Sequence, residues 1–223
     1  MTTVLDVNKK LKLYIENNII TQYKKFDKAH NKKHIYNVIS SALKLNTSFN
    51  ADPNIVFTAA SYHDLGLGYL KYNPNKSRRR HHIYSEKLVH MDQKLKDFFT
   101  LKEIDIIAQA CLYHRASSKD NPPSIYGKII ADSDRMDGLE IRDMILRAWN
   151  YSNSFYPNLD IKAKQKDIYH HLRDKYGEGG YLYNSFYLKE SKEMIKEVIK
   201  ESTAILASKD RFNRLFEELI ANN

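Results

Sequence analysis

The chain has 223 residues, 42% of them hydrophobic, and it contains only 7 glycines and 5 prolines. That composition is ordinary for a globular protein, and the shortage of turn-forming residues favours long helices over turn-rich β structure. The formal charge of +9 attracts anions such as nucleotides, but it is spread along the chain and matches no usual DNA- or RNA-binding motif.

Cysteine content and hydropathy predict a cytoplasmic protein. Cys111 is the single cysteine, so no intrachain disulfide can form, as suits a reducing compartment. The first residues are charged throughout and lack the apolar core of a signal peptide. No stretch approaches the roughly 20 apolar residues that span a bilayer, so we expect no membrane partner.

The first helices carry the first candidate histidine. Residues 4 to 26 repeat apolar side chains at helical spacing and predict one amphipathic helix. A second helix is predicted from about Lys32 to Phe49, with His34 in its first turn. His30 lies four residues earlier, where it would share a helix face with His34, but Asn31 indicates that the helix begins after His30. We therefore expect His30 to cap the helix or to support a ligand from behind.

The third helix leads into an adjacent histidine and aspartate. Asp52 and Pro53 mark its start, and the sequence Leu-Gly-Leu-Gly closes it after His63 and Asp64. Imidazole and carboxylate side by side are a pair of metal-binding groups. Residues 66 to 79 are predicted to form an exposed loop.

Two further helices are predicted around the next histidines. The fourth runs from about His82 to Leu95, and the fifth from about Lys102 to Tyr113. Thr100 and Glu103 have the spacing of a capping box at the start of the fifth helix. His114 follows directly after that helix.

The sixth helix ends in three aspartates. Residues two apart on a helix point to different sides, so Asp132 and Asp134 are not expected to bind one ion together. Asp134 lies one turn after the apolar Ile130 and is predicted to point inward, whereas Asp132 lies near the opposite face. Asp132 and Asp137 are predicted to be exposed or to support the ligands from behind.

The rest of the chain is also predicted to be helical. Helices are expected at residues 139 to 151, at 159 to 176 and as a pair over about 188 to 221, with a flexible loop at 177 to 184. The chain contains no convincing strand pattern and no repeat. The sequence therefore predicts an all-α protein forming a single domain over residues 1 to 223.

Taken together, these residues resemble the HD-domain superfamily of metal-dependent phosphohydrolases. The matching features are His34 with Val38, the His63-Asp64 pair, and Asp134 with Arg135 in SDRMDGL. The segments HHIYSEKLV, CLYHRASS and SIYGKIIADSDR are further similar to an uncharacterised bacterial subgroup. The resemblance covers about residues 25 to 140, and more weakly YGEGGY near the C-terminus. It implies an HD-domain helical bundle with a helical extension over about 141 to 223.

The resemblance implies a divalent ion and hydrolysis of a phosphate ester of a small molecule, a nucleotide above all. By similarity, the ion is held by His34, His63, Asp64 and Asp134, with Asp134 preferred to Asp132 because it matches the motif. Nitrogen and oxygen ligands suit Mn, Fe, Co, Ni or Zn better than Mg. An ion of this kind activates water and neutralises phosphoryl oxygens.

Some relatives hold two ions through two further histidines. The candidates here are His114 and one of His81 and His82, with Asp64 bridging the ions; alternatively, these histidines contact the substrate phosphate. We assign catalytic roles to Asp64, His81 and His114.

Arginine offers a planar fork that matches phosphate. Arg80 precedes His81 and Arg115 follows His114, so both are predicted to bind the substrate. Two other functions compete with hydrolysis: a nucleotide sensor that does not turn its ligand over, and, less favoured, a protein that acts on nucleic acid. The sequence predicts no oligomeric state.

Overall fold

The computed structural model describes residues 6–26, 30–70, 74–115, 120–177 and 180–221. These residues form α-helices and short 3-10 segments, with no strand among them, which confirms the predicted all-α class. The α-helices are α1 (Lys9–Asn18), α2 (Lys32–Asn46), α3 (Pro53–Tyr62), α4 (Pro74–Met91), α5 (Leu101–Tyr113), α6 (Ile125–Met136), α7 (Ile141–Phe155), α8 (Ile161–Tyr176), α9 (Tyr181–Asn184), α10 (Lys189–Leu206) and α11 (Lys209–Ala221). Within these ranges, no helix is both long enough and apolar enough to cross a membrane.

The chain divides into two compact units, Met1–Asp137 and Gly138–Asn223. In the first unit, α2 packs against α3 and α6, while α5 packs against α3, α4 and α6. The fully buried side chains at its centre include Tyr23, Ile35, Leu45, Tyr62 and Ile107. This core fixes the helix ends that carry the candidate ligands.

The second unit is built around α8, which packs against α7 and α10. Phe212 and Phe216 of α11 are buried in it, and Trp149 of α7 contacts the Phe216 ring edge-on at 5.6 Å between centroids. The hydroxyl of Tyr176 donates to the carbonyl oxygen of Leu139 at 2.7 Å. The unit thus has its own apolar core.

Local signals placed several helix starts correctly. Asp52 caps α3 by accepting from the amide of Asn54, with Pro53 in the first helical position. Thr100 and Glu103 form the predicted capping box of α5. These contacts depend on residues within one turn, so the sequence alone contains the information needed to place them.

The prediction of one helix over residues 4 to 26 is wrong. Helix α1 ends at Asn18, and a 3-10 segment, Ile20–Lys25, follows it. The side chains of Thr21 and Gln22 donate to the carbonyl oxygens of Asn17 and Asn18. Such side-chain bonds compete with the main-chain ladder and favour a break in the helix.

The predicted loop at residues 66 to 79 and the predicted start of the fourth helix are also wrong. Helix α4 begins at Pro74 and is bent at Arg80, whose φ of −123° and ψ of 15° are not helical. The first half of α4 faces the core through Ser77, which is completely buried. A small polar residue in an inward position hides the apolar periodicity on which the prediction depends.

The loop predicted at residues 177 to 184 is partly helical, because Tyr181–Asn184 forms the single-turn helix α9. Glu178 and Gly179 of that segment lie outside the described residues, and so do residues 27 to 29 before α2.

Candidate metal centre

Side chains from three helices of the first unit converge at what we call the first group: His34, His63, Asp64 and Asp134. The Nε2 atom of His34 lies 3.4 Å from Asp64 Oδ2 and 3.4 Å from Asp134 Oδ1. The Nε2 atom of His63 lies 3.4 Å and 3.7 Å from the same two oxygen atoms. One potential ligand atom from each residue falls within 4.8 Å of the others.

A second group shares Asp64 with the first and adds His81 and His114. The Oδ1 atom of Asp64 lies 3.3 Å from His81 Nε2 and 3.5 Å from His114 Nε2. The two oxygen atoms of one carboxylate therefore face different groups: Oδ2 faces the first and Oδ1 the second. Asp64 joins them into one cluster.

Three of the four histidines are oriented by main-chain carbonyl groups three residues earlier. Nδ1 of His63 donates to the carbonyl oxygen of Ala60 at 2.7 Å. In the same way, Nδ1 of His81 donates to that of Arg78 at 2.8 Å, and Nδ1 of His114 donates to that of Cys111 at 2.6 Å. A carbonyl oxygen only accepts hydrogen bonds, so Nδ1 carries the proton and Nε2 of a neutral ring presents its lone pair to the cluster.

Helix ends make these carbonyl groups available. His63 and His114 are the first residues after α3 and α5, where the last carbonyl groups of a helix lack an amide partner. His81 lies within α4 and not after its last residue, but the bend at Arg80 interrupts the helix just before His81. The bend therefore gives His81 the same local environment as the other two histidines.

His34 is oriented by a carboxylate instead. Its Nδ1 atom donates to Asp137 Oδ2 at 2.7 Å, and Asp137 Oδ1 accepts from the side-chain amide of Asn37 at 2.8 Å. A carboxylate behind a ligating histidine fixes its tautomer and increases its basicity. Asp137 thus lies behind His34, one of the two positions predicted for it.

The charges of the first group stabilise one another. Burial alone would lower the pKa of His34, but the carboxylates of Asp137 and Asp64 outweigh it and raise that pKa to about 9. Burial likewise opposes the charge on His63, yet Asp64 and Asp134 raise its pKa well above the usual range. The pKa of Asp134 falls to about 2, against the effect of burial, because His63 lies beside it.

The second group is less charged. Burial, together with the neighbouring His114, outweighs the attraction of Asp64 and lowers the pKa of His81 to about 4. For Asp64, burial opposes ionisation, but the neighbouring His63 holds the pKa of the carboxyl well below its usual range. His81 is therefore a neutral nitrogen donor beside an ionised carboxylate.

The cluster fits a divalent cation. The Nε2 atoms of His34 and His63 are buried, and within the described part of the chain they have no hydrogen-bond partner. A buried polar atom left without a partner is costly, and a cation between these nitrogen atoms and the two carboxylates would provide one. Imidazole with carboxylate is a donor set that binds first-row transition metals.

Two alternatives left open by the sequence are distinguished by position. His82 lies outside both groups, with its ring centroid 5.6 Å from that of His81. Asp134 contacts the first group, whereas Asp132 lies 3.5 Å from Arg135 and is completely buried. Of the two positions predicted for Asp132, the exposed one is wrong, because α6 packs against α2, α3 and α5 and is buried on several sides.

The other predicted residues occupy supporting positions. Asn31, not His30, caps α2 by accepting from the amides of Lys33 and His34, so the capping role predicted for His30 is wrong. Arg80 is exposed at the bend of α4. Arg115 donates from Nη1 to the carbonyl oxygen of Arg79 at 2.7 Å, which ties the end of α5 to the bend.

Sequence reasoning missed the anchor behind α3. The hydroxyl groups of Tyr62 and Tyr14 both donate to Asp92 Oδ2, and Tyr62 directly precedes His63. The partners lie 30 and 78 residues from Asp92, so no local pattern indicates the contact. Asp92 instead shows a capping signal, which it also fulfils by accepting from the amide of Lys94.

Comparisons with known proteins agree with this geometry. The family model of the HD domain matches residues 32–139. Bacillus subtilis YpgQ in complex with ADP is similar in structure, with a TM-score of 0.54 and 22% identity over 85% of this chain and 90% of that chain. A further YpgQ structure has a TM-score of 0.56 and 23% identity over 85% of this chain and 90% of that chain. A Lactobacillus plantarum protein has a TM-score of 0.60 and 16% identity over 96% of this chain and 100% of that chain. No curated protein matches the chain.

At these identities, the solved structures establish a shared fold. The matched family segment contains every residue of the first and second groups. Residues 32–139 are therefore an HD domain.

Proposed function

We propose that this protein is a metal-dependent phosphohydrolase that cleaves a phosphate ester of a small molecule, and that its substrate is a nucleotide. The observation that carries the proposal is the Asp64 carboxylate, which presents one oxygen atom to each of two histidine groups. A carboxylate shared between two sets of imidazole nitrogen atoms suits a pair of divalent ions.

His34, His63, Asp64 and Asp134 would hold one ion, and Asp64, His81 and His114 would hold another. When bound, a divalent ion lowers the pKa of water and neutralises phosphoryl oxygens, which together are what phosphate ester hydrolysis needs near neutral pH. The donor set favours Mn, Fe, Co, Ni or Zn over Mg.

The exposure of the side chains indicates where the substrate approaches. The side chains of His63 and His114 are 0% and 2% exposed, whereas those of Asp134 and His81 are 28% and 13% exposed. The open edge of the cluster therefore runs between Asp134 and His81. The side chain of Asp64 is 5% exposed, so it lies on the inner side of the cluster. We expect the substrate to approach past Asp134 and His81.

Arg115 and Arg80 are the proposed phosphate-binding residues. The bond from Arg115 to the carbonyl oxygen of Arg79 uses one side of the guanidinium group and leaves further N–H donors for an anion. Arg80 directly precedes His81 and is exposed. We propose that both cations neutralise phosphate beside the second group.

Two observations support a nucleotide as the substrate. YpgQ, which shares the fold, has been solved in complex with ADP, and the basic charge of this chain favours polyanionic ligands. Nucleotide binding without turnover is the competing function, and the same observations favour it equally.

The test is a phosphate-release screen over a panel of nucleotides with Mn, Co, Ni and Mg, using protein purified without chelator or nickel resin. We expect metal-dependent release by the natural chain and none by Asp64→Ala. Tight nucleotide binding in calorimetry without product from any nucleotide would instead establish the sensor. A gel shift near physiological salt concentration tests the third function, action on nucleic acid. Nonspecific binding driven by counterion release is lost at that salt concentration.

A further inference from the structure

We propose that Gly66 is a positioning residue that lets helix α4 approach Asp64 closely enough for the second group to bind an ion. This inference rests on the proposed function, since it treats the second group as a metal site. It concerns the 3-10 segment Leu65–Gly68, which follows the His63-Asp64 pair directly.

The space beside Gly66 has no room for a side chain. A Cβ atom at this position would lie 2.1 Å from the carbonyl oxygen of His81, 2.6 Å from the amide nitrogen of Ser85 and 2.8 Å from Cβ of Tyr84. Two of these atoms belong to the backbone of α4 and the third is fixed to it, so none can rotate away. Any larger residue would have to push α4 outward.

Hydrogen bonds hold this close approach on both sides of the bend in α4. The amide of Gly66 donates to Ser85 Oγ at 2.9 Å, and the amide of Leu70 donates to Ser77 Oγ at 2.9 Å. Both serine residues are completely buried. Ser77 precedes the bend at Arg80 and Ser85 follows it, so the turn after Asp64 is attached to both halves of the helix.

His81 transmits any shift of α4 to the second group. Its ring is tied to its own helix by the bond from Nδ1 to the carbonyl oxygen of Arg78, so the imidazole moves with the backbone. Its Nε2 atom lies 3.3 Å from Asp64 Oδ1. A displacement of 1 Å or more is enough to lose ligation, because nitrogen ligands bind a transition metal at about 2.0–2.1 Å.

The three ligands of the first group other than the shared Asp64 come from outside α4. His34 comes from α2, His63 from the end of α3 and Asp134 from α6. Displacing α4 therefore removes His81 from the second group and leaves those three residues in place. The proposal thus predicts a selective change in metal stoichiometry.

The experiment compares Gly66→Ala with Gly68→Ala, the same substitution two residues later in the same turn. At Gly68 a Cβ atom would meet the ring edge of Phe26 at 2.8 and 3.0 Å, a side chain that can rotate. Metal-stripped proteins are titrated with Co²⁺, and bound metal is counted by elemental analysis after gel filtration. We expect two ions per chain in the natural protein and in Gly68→Ala, and one in Gly66→Ala, with the second binding step weakened at least tenfold.

Ser85→Ala provides a second variant should Gly66→Ala fail to fold. It removes the acceptor of the Gly66 amide without adding an atom, and we expect a several-fold weaker second binding step with the first unchanged. Two ions bound at natural affinity in both variants would overturn the positioning role of Gly66 but not the proposed function. A natural protein that binds one ion, or a variant that loses both ions together, would overturn it as well. A natural protein that binds no Co²⁺ would instead overturn the proposed function.

Discussion

The Nε2 atoms of His81 and His114 lie 3.1 Å apart, while Nδ1 of each ring donates to a main-chain carbonyl group. With Nδ1 protonated, two neutral rings present their lone pairs to each other. Such a pair is stable only with a proton or a cation between the nitrogen atoms. The arrangement is therefore compatible with a cation between the two rings.

Metal should raise the melting temperature, since a ligand at 100 times its dissociation constant stabilises a fold by about 2.7 kcal/mol. We expect saturating Co²⁺ or Mn²⁺ to raise the melting temperature of the natural chain by several degrees. His114→Ala should reduce that increment, because it removes a ligand of the second group. His90→Ala is the control, as its side chain is 45% exposed and lies outside both groups. An equal increment in all three proteins, measured by differential scanning fluorimetry, would contradict the assignment.

Asp64→Ala should abolish metal binding at both groups. Asp64 is the one residue shared between them, so its loss removes a ligand from each. We expect a decrease in the turnover rate of at least about a hundredfold, with the helical circular dichroism spectrum retained, since α3 ends before this residue. Normal turnover in the variant would show that the reaction does not use this cluster.

Asp137→Asn tests the carboxylate behind His34. An amide oxygen still accepts from Nδ1, but it no longer adds negative charge to the imidazole, so the affinity for the first ion should fall about 10- to 100-fold. Asn37→Ala, which removes the hydrogen bond from Asn37 to Asp137, should have a smaller effect. Calorimetric titration with Co²⁺ measures both, and equal affinities in all three proteins would argue against this role for Asp137.

Lys175→Met tests a charge outside the cluster. Burial, and secondly the charge of Arg147, lowers the pKa of Lys175 to about 8 from 10.5. An unfolded chain therefore binds more protons at this residue between those values, and stability rises with pH across that window. Below it, charging the half-buried ammonium group costs roughly 1–3 kcal/mol, after allowance for its contact with solvent. We expect the variant to have a larger free energy of unfolding than the natural chain at pH 7, and a smaller increase in it between pH 7 and pH 10, as measured by urea unfolding. Equal pH dependence in the two proteins would contradict this.

The sequence predicts those features that depend on neighbours within one turn. The cap at Asp52 and the capping box at Thr100 follow from such contacts, and so does the start of α2 after Asn31. The family motif also named the residues of the first group, although their role as ligands remains a prediction.

Features that depend on distant contacts were not predictable. The choice between His81 and His82 depends on the bend at Arg80, which no local pattern indicates. The approach of Gly66 to α4 and the anchoring of Tyr62 by Asp92 join residues far apart in sequence. Helical spacing alone also misjudged α6, because a helix packed on several sides has no single inward face.

The two aspartates of α6 should therefore differ in what they stabilise. Asp134 contacts His34 and His63 of the first group, so Asp134→Asn should lower metal content and turnover sharply while the metal-free protein melts nearly as before. Asp132 is completely buried beside Arg135. Breaking a buried ion pair costs roughly 3 kcal/mol or more, so Asp132→Asn should lower the melting temperature but retain metal at the temperature of assay. Elemental analysis and thermal unfolding on the same samples separate the two effects. If Asp132→Asn loses metal while Asp134→Asn keeps it, the ligand of the first group is Asp132, and the alignment of the closing motif is wrong by two positions.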